Sequence, residues 1–152
     1  MLADQSILTN RQAFHEYHVL DKSEAGAVLV GTEVKSIMAG RIQLKDSYVT
    51  IRENEVWLLN AHISPYSHGN KQNHDPLRPR KLLLHRKEIE KLEKETVQKG
   101  MTLIVTSIYW KNGRIKFEIG VAKGKKLFDK RDTEMKKTIE RETRQQLKEN
   151  VR

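Results

Sequence analysis

A basic segment near the C-terminal end is the densest chemical signal in the sequence. Five positive charges fall within nine positions, at Lys123, Lys125, Lys126, Lys130 and Arg131. One aromatic ring, Phe128, lies among them. Lysines neutralise phosphates, and an exposed ring can stack on a nucleobase. The segment therefore predicts contact with a polyanion, and nucleic acid is the leading candidate.

The spacing of the glycines and histidines does not support a phosphate-binding loop or a metal site. Residues 120–126 resemble a phosphate-binding loop, but only three residues separate the glycines and no Ser or Thr follows the lysines. His62, His68 and His74 surround a proline-rich stretch, yet no two have a tight ligand spacing and the chain has no cysteine. Solvated or hydrogen-bonded histidines are expected. The prediction is a protein without catalytic residues, metal or cofactor, and not an enzyme.

Composition supports a binding protein. The chain has 152 residues, a net charge of +9 and a pI near 9.8, which suit one domain and a polyanionic partner. Its apolar runs are too short to span a bilayer. A cytoplasmic protein that is monomeric when free, with no membrane partner, is expected.

Hydrophobic periodicity predicts the elements that must position these charges. In the first half, residues 13–20 and 27–30 read as a hairpin with a turn at 21–26, and residues 33–40 read as a short helix capped by Thr32 and ended by Gly40. A second hairpin follows, with its turn at Glu53-Asn54.

The second half reads as a long loop over residues 64–80, an amphipathic helix that begins near His85 and ends before Gly100, and a hairpin closed by Asn112-Gly113. About six strands paired in sequence and two short helices result. The predicted fold class is mainly β with flanking α: an antiparallel barrel with a basic C-terminal tail.

The tail is predicted from charge and from the lack of apolar residues. Residues 123–152 contain eleven basic and six acidic residues and so carry +5 of the total +9. They offer too few large apolar side chains to form a core of their own. This segment is expected to be disordered when free and helical on the surface that binds it.

Aromatic residues strengthen the nucleic-acid interpretation. Tyr66 and His68 lie in the long loop, and Tyr109 and Trp110 lie near the hairpin tip. For Trp110, as for each ring taken singly, burial in the core is the more probable role. Phe128 is the exception, because almost nothing apolar surrounds it.

A series of short motifs carries a resemblance to a known family. In chain order they are Asn10-Arg11-x-Ala13, Glu24-Ala25-Gly26, residues 31–36 (GTEVKS), Ala39-Gly40-Arg41, Leu44-x-Asp46-Ser47-Tyr48, His62-Ile63-x-Pro65-Tyr66, residues 75–84 (DPLRPRKLLL) and Gly124-Lys125-Lys126-x-x-Asp129-Lys130-Arg131. Together they resemble the small protein B family, the bacterial partners of transfer-messenger RNA.

The resemblance implies an OB-type barrel over residues 1–126, a ribosome-binding tail over residues 127–152, and a role in trans-translation. The protein would bind the tRNA-like domain of transfer-messenger RNA and deliver it to stalled ribosomes. The RNA-binding residues that the resemblance and the charge imply are Asn10, Arg11, Glu24, Lys35, Arg41, Arg80, Lys81, Leu83, His85, Lys123, Lys125 and Lys126. The tail residues implied to reach the decoding region of the small subunit are Phe128, Asp129, Lys130 and Arg131. His85 could cap a helix, contact RNA or do both.

The sequence leaves two other functions open. A ribosomal or ribosome-assembly protein would share the charge and the fold but would bind ribosomal RNA without a tRNA-like ligand. An RNA-processing enzyme would need convergent acid, base or metal residues, and the sequence has none with convincing spacing.

Overall fold

The computed structural model describes residues 5–68 and 72–125. Within these residues the chain forms nine strands and three helices: β1 (Gln5–Thr9), α1 (Arg11–Glu16), β2 (Tyr17–Ala27), α2 (Gly31–Met38), β3 (Ile42–Gln43), β4 (Tyr48–Arg52), β5 (Glu55–Leu59), β6 (His62–Ile63), β7 (Arg80–Leu83), α3 (Arg86–Val97), β8 (Thr102–Lys111) and β9 (Arg114–Gly124).

Six of the strands close into a ring. The antiparallel order β8–β4–β5–β7–β2–β9 returns to β8 through the β8–β9 pairing, and β1 adds to the edge of β8 beyond β4. The closing contact between β4 and β8 is a single register pair, Val49 with Leu103. Strands β3 and β6 form a separate two-stranded sheet. The predicted mainly β, barrel-like architecture is confirmed.

The interior of the ring is filled by alternate side chains of its strands. On β9 the residues Ile115, Phe117, Ile119 and Val121 are buried, as the alternating pattern predicts. Helix α2 adds Ile37 to the same core, and α3 adds Leu92. The outward residues of these strands are therefore held in fixed positions, which is what a binding surface needs.

The predicted turns and helix ends are confirmed where glycine or asparagine marks them. Asn112 and Gly113 both have positive φ, 52° and 75°, as a two-residue hairpin loop requires. Gly40 follows α2 at φ 75° and Gly100 follows α3 at φ 64°, and glycine adopts this left-handed conformation without steric cost.

The predicted first hairpin is wrong. Residues 11–16 form α1, and residues 17–27 form one continuous strand that pairs with β9 from Tyr17 opposite Gly124 to Ala25 opposite Phe117. The polar residues at 21–26 that indicate a turn lie in an extended strand, because the long partner β9 supplies its hydrogen bonds. Only β4–β5 and β8–β9 pair as sequence neighbours within the described ring. The ring is instead closed by strands that are distant in sequence.

The predicted cap of α2 is also wrong. The N-cap position is Val30, whose backbone N–H donates to the Glu33 carboxylate at 2.9 Å. The Thr32 hydroxyl lies 2.8 Å from Nδ1 of His74 instead. Thr32 therefore ties α2 to the end of the long loop.

Candidate nucleic-acid interface

The predicted RNA-binding residues lie in three places on the described fold. One group lies on the neighbouring strands β2 and β7 and at the start of α3, and consists of Glu24, Lys81, Leu83 and His85. A second group, Asn10, Arg11, Lys123 and Lys125, lies at the other end of the β2–β9 ladder. The third group, Lys35 and Arg41, belongs to α2 and the residues that follow it.

The first two groups are separated along β2. Lys123 pairs with His18, and Glu24 lies six positions after His18 on that strand. At about 3.3 Å per residue this separation is about 20 Å. A ligand that touches both groups must therefore be large and must follow the strand direction, as a folded RNA can.

Glu24 is held by two residues of β8. The Tyr109 hydroxyl donates to Oε2 of Glu24, and Nζ of Lys111 lies 3.2 Å from the same oxygen. The hydrogen bond from Tyr109, and then the bond and charge of Lys111, hold the pKa of Glu24 below its ordinary value despite the opposing effect of partial burial. The carboxylate is ionised at neutral pH and is 36% exposed.

Leu83 and His85 lie beside Glu24 on the neighbouring chain segment. Leu83 pairs with Gly26, and its side chain is 49% exposed. His85 is the N-cap residue of α3, is exposed, and makes no side-chain capping hydrogen bond. The His85 side chain therefore does not cap α3, and its exposed ring can contact a ligand.

A cleft of about 330 Å³ opens beside these residues, where β9 leaves β2. Gly26, Leu83, Trp110, Arg114 and Lys116 are among its lining residues. Its size is at the low end of the range of about 300 to 1,000 Å³ that small-molecule sites occupy.

In the second group, the Asn10 side chain has a structural role. Its Oδ1 accepts from the backbone N–H of Ala13 at 3.3 Å as the cap of α1, and its Nδ2 donates to the carbonyl of Val105 at 2.9 Å. Arg11 and Lys123 are exposed, and the backbone N–H of Lys125 donates to the carbonyl of Glu16 at 2.8 Å. The end of β9 is thus fixed against α1, with its basic side chains near that helix.

In the third group, Lys35 lies over the ring of Tyr66, with Nζ 5.2 Å from the ring centroid. The Tyr66 ring also meets His68 edge-on at 5.5 Å. Arg41 is exposed, and its backbone carbonyl accepts from Ser64. These contacts place two basic side chains beside the start of the long loop.

Arg80 is a correction to the predicted set. Its side chain has no solvent exposure, so it cannot contact a phosphate on the surface. Its Nε donates to Oε2 of the buried Glu33 at 2.6 Å, and its Nη1 donates to the carbonyl of Ala61 at 2.7 Å. Arg80 is part of the core. Its neighbour Lys81 is on the surface and pairs with Glu55 at 3.1 Å.

Comparison with known proteins assigns the family. The family model described as SmpB protein matches residues 7–149. The chain belongs to the SmpB family. It is 54% identical to the SsrA-binding protein of Acetivibrio thermocellus, over 96% of this chain and 95% of that one. It is 55% identical to the SsrA-binding protein of Caldanaerobacter subterraneus, over 94% of this chain and 90% of that one.

A solved SmpB-family structure agrees with the fold. A chain from the structure described as "tmRNA-SmpB: a journey to the center of the bacterial ribosome" is 41% identical to this one, with a TM-score of 0.69. The likeness covers 84% of this chain and 93% of that chain.

The histidines of this SmpB-family chain form no metal site in the described residues, where no group of three or more potential ligands is found. His74 is buried, with Nε2 donating to the Ile63 carbonyl at 2.9 Å and Nδ1 beside Thr32. His68 contacts Tyr66. In the same part of the chain, no helix is both long and apolar enough to span a membrane.

Sequence reasoning missed three residues of the interface: Tyr109 as a partner of Glu24 rather than a stacking ring, Lys111, and Lys116. The Asn112-Gly113 turn is the signal that could have predicted their positions. It fixes the β8–β9 register and so places Tyr109 opposite Lys116. Trp110 is half-buried and packs against the core, in agreement with the role that the sequence favours for this ring. The predicted positions Lys126, Phe128, Asp129, Lys130 and Arg131 lie outside the described residues.

Proposed function

We propose that this chain binds the tRNA-like domain of transfer-messenger RNA and delivers it to stalled ribosomes for trans-translation. The observation that carries the proposal is its identity of more than 50% to proteins named for binding SsrA, over nearly the full length of both chains. A structure of the SmpB family described with tmRNA and the bacterial ribosome supports the same partners.

The surface chemistry supports a large RNA ligand. Exposed Arg11, Arg41 and Lys123 lie at separate places on a barrel with a net positive charge. Phosphate contacts of this kind position a folded RNA by shape, and they weaken as salt concentration rises. The RNA-binding residues that we propose are Asn10, Arg11, Glu24, Lys35, Arg41, Lys81, Leu83, His85, Lys123, Lys125 and Lys126.

The proposal also divides the chain. Residues 1–126 bind the carried RNA, and residues 127–152 form a basic tail that enters the decoding region of the small subunit and becomes helical there. The tail residues Phe128, Asp129, Lys130 and Arg131 make that contact. A segment poor in apolar residues becomes ordered only on a partner surface, so its ordering can report a vacant message channel.

A competition assay tests the proposal. Labelled tRNA-like domain is bound to the full chain, then displaced with unlabelled tRNA-like domain, ordinary tRNA or a ribosomal RNA fragment at two salt concentrations. We expect the tRNA-like domain to compete best at both. Equal or better competition by the ribosomal fragment would instead favour a ribosomal or ribosome-assembly protein. Incubation of RNA with the chain and Mg²⁺ separates the enzyme alternative, since cleavage or other turnover of the RNA would contradict a purely binding role.

A further inference from the structure

A cleft between α1 and the turn that leads into β4 carries acidic and aromatic side chains. Its volume is about 380 Å³, and its lining residues include Glu16, Tyr17, Asp46 and Tyr48. The turn is closed by Ser47, whose backbone N–H and hydroxyl donate to the carbonyl of Leu44 at 3.0 and 2.6 Å. Tyr48 is 40% exposed, so its ring can take an aromatic partner.

The charge of this cleft is opposite to that of the chain as a whole. Two carboxylates, Glu16 and Asp46, line it against one lysine, Lys45. Within residues 5–68 and 72–125 neither carboxylate forms an ion pair. Oε1 of Glu16 accepts a hydrogen bond from the Gln12 amide at 3.4 Å. The ligand that this chemistry suits has positive charges beside an aromatic ring.

The chain itself brings such a segment to the cleft. The backbone N–H of Lys125 donates to the carbonyl of Glu16 at 2.8 Å, and Gly124 pairs with Tyr17, so β9 ends beside the cleft. Residues 126–131, with the sequence KLFDKR, follow directly and contain three basic residues, one acidic residue and one ring. Fully extended, six residues span about 20 Å, so the segment is long enough to cross the cleft.

We infer that residues 126–131 dock in this cleft in the free chain. The Phe128 ring packs against Tyr48, and the basic side chains of the segment lie beside Glu16 and Asp46. Because the segment is joined to β9 at the cleft, docking closes only a short loop and proceeds at a high effective concentration, so modest contacts suffice. The disorder expected of the free tail is then confined to residues 132–152.

Docking holds back residues that are proposed to contact the small subunit. Phe128, Lys130 and Arg131 cannot occupy the cleft and the decoding region together, so release from the barrel precedes ribosome contact. This consequence rests on the proposed function, whereas the docking itself is measured without RNA or ribosomes. A chain that fails to dock its segment leaves the proposed function intact, and a chain that fails to bind the tRNA-like domain leaves the docking intact.

Backbone ¹⁵N relaxation of the free full-length chain tests the docking. We expect order parameters above about 0.6 for residues 126–131 and values below that for the last residues of the chain. In Phe128→Ala we expect the values at 126–131 to fall below about 0.6, and the amide resonances of residues 44–48 to shift. If residues 126–131 of the wild-type chain are as mobile as its last residues, the inference is overturned.

A change at Asp46 tests the charge of the cleft without disturbing the turn. Asp46 has φ 63°, a conformation that asparagine adopts readily, so Asp46→Asn removes the charge and keeps the backbone. We expect this variant to lower the order parameters of residues 126–131. A salt concentration of about 1 M should lower those of the wild-type chain, because the screening length falls to about 3 Å.

Glu53→Gln is the matched control for Asp46→Asn. Glu53 is also an exposed carboxylate at positive φ, 51°, but it lies in the β4–β5 turn and does not line the cleft. We expect the order parameters of residues 126–131 to be the same in Glu53→Gln and the wild-type chain. Equal effects of the two variants, or no effect of Asp46→Asn, would show that the cleft does not hold the segment.

Discussion

Nε of Arg80 and Oε2 of Glu33 lie 2.6 Å apart, and neither side chain has any exposure to solvent. The pair joins β7 to α2, and Arg78 adds a second contact to the other oxygen of Glu33. Because buried charges depend on each other for compensation, the end of the long loop, the first turn of α2 and the barrel are fixed as one unit.

Replacing Arg80 is expected to destabilise the fold. Arg80→Met leaves the Glu33 carboxylate buried with less compensation, and removal of one partner from such a pair costs about 3–5 kcal/mol. Urea denaturation followed by circular dichroism measures the loss, with the exposed Arg52→Met as the matched control. A loss as small as that of the control would contradict a structural role for Arg80.

The same pair predicts a pH dependence. Burial by itself would raise the pKa of Glu33, but hydrogen bonds from Arg78, from the Val30 N–H and from Arg80 outweigh it, so the pKa lies below its ordinary value near 4.5. Stabilisation from Glu33 is therefore complete above about pH 4.5 and is lost as pH falls through the lowered folded-state pKa. We expect the difference in unfolding free energy between wild type and Glu33→Gln to narrow below that pH. A difference that stays constant from pH 7 to pH 3 would argue against it.

Gly120 is expected to tolerate no side chain. A Cβ at this position would lie 2.7 Å from Cγ2 of Thr106 and 3.1 Å from Cγ1 of Val19. Thr106 cannot rotate away easily, because its hydroxyl donates to Glu118 Oε1 at 2.7 Å. Overpacking of this kind costs about 1–3 kcal/mol, which thermal or urea denaturation of Gly120→Ala will detect. Gly124→Ala is the control, since no atom of residues 5–68 or 72–125 other than its chain neighbours lies within 4 Å of its added Cβ. The prediction is wrong if the two variants are equally stable.

The lysines at the end of β9 are expected to contact phosphates. Lys123→Ala and Lys125→Ala should each weaken binding of the tRNA-like domain and reduce the slope of log K against log salt by about one. Titrations at four or more salt concentrations measure the slope. Lys94→Ala on the exposed face of α3 should leave it unchanged. Unchanged slopes for both β9 variants would show that these lysines face away from the RNA.

Removal of the tail is expected to separate two activities. A chain that ends at Phe128 should bind the tRNA-like domain with nearly wild-type affinity, since the barrel residues are intact, but should fail to support tagging on stalled ribosomes. Gel-shift titration and a reconstituted tagging reaction measure the two. Equal loss of both activities would contradict a functional boundary near residue 127.

Local signals in the sequence predicted much of the fold. Asn112-Gly113 fixed the β8–β9 hairpin, the alternation from Ile115 to Val121 identified the buried face of β9, and Gly40 and Gly100 marked the ends of two helices. These features depend on residues within a few positions of each other, so a single sequence is enough to read them. Helix α1 was not predicted, because its six residues are too few to show a helical period.

The sequence alone determined the charge, the chemical class of the partner and the motifs of the SmpB family. Only the tertiary structure decided that Arg80 belongs to the core, that the remaining candidates fall into three groups, and that Tyr109 holds Glu24. Arg80 and Glu33 are 47 positions apart, and Tyr109 and Glu24 are 85 apart. Such pairs are created when distant strands close the ring, and no local pattern encodes which residue a side chain will meet across a barrel.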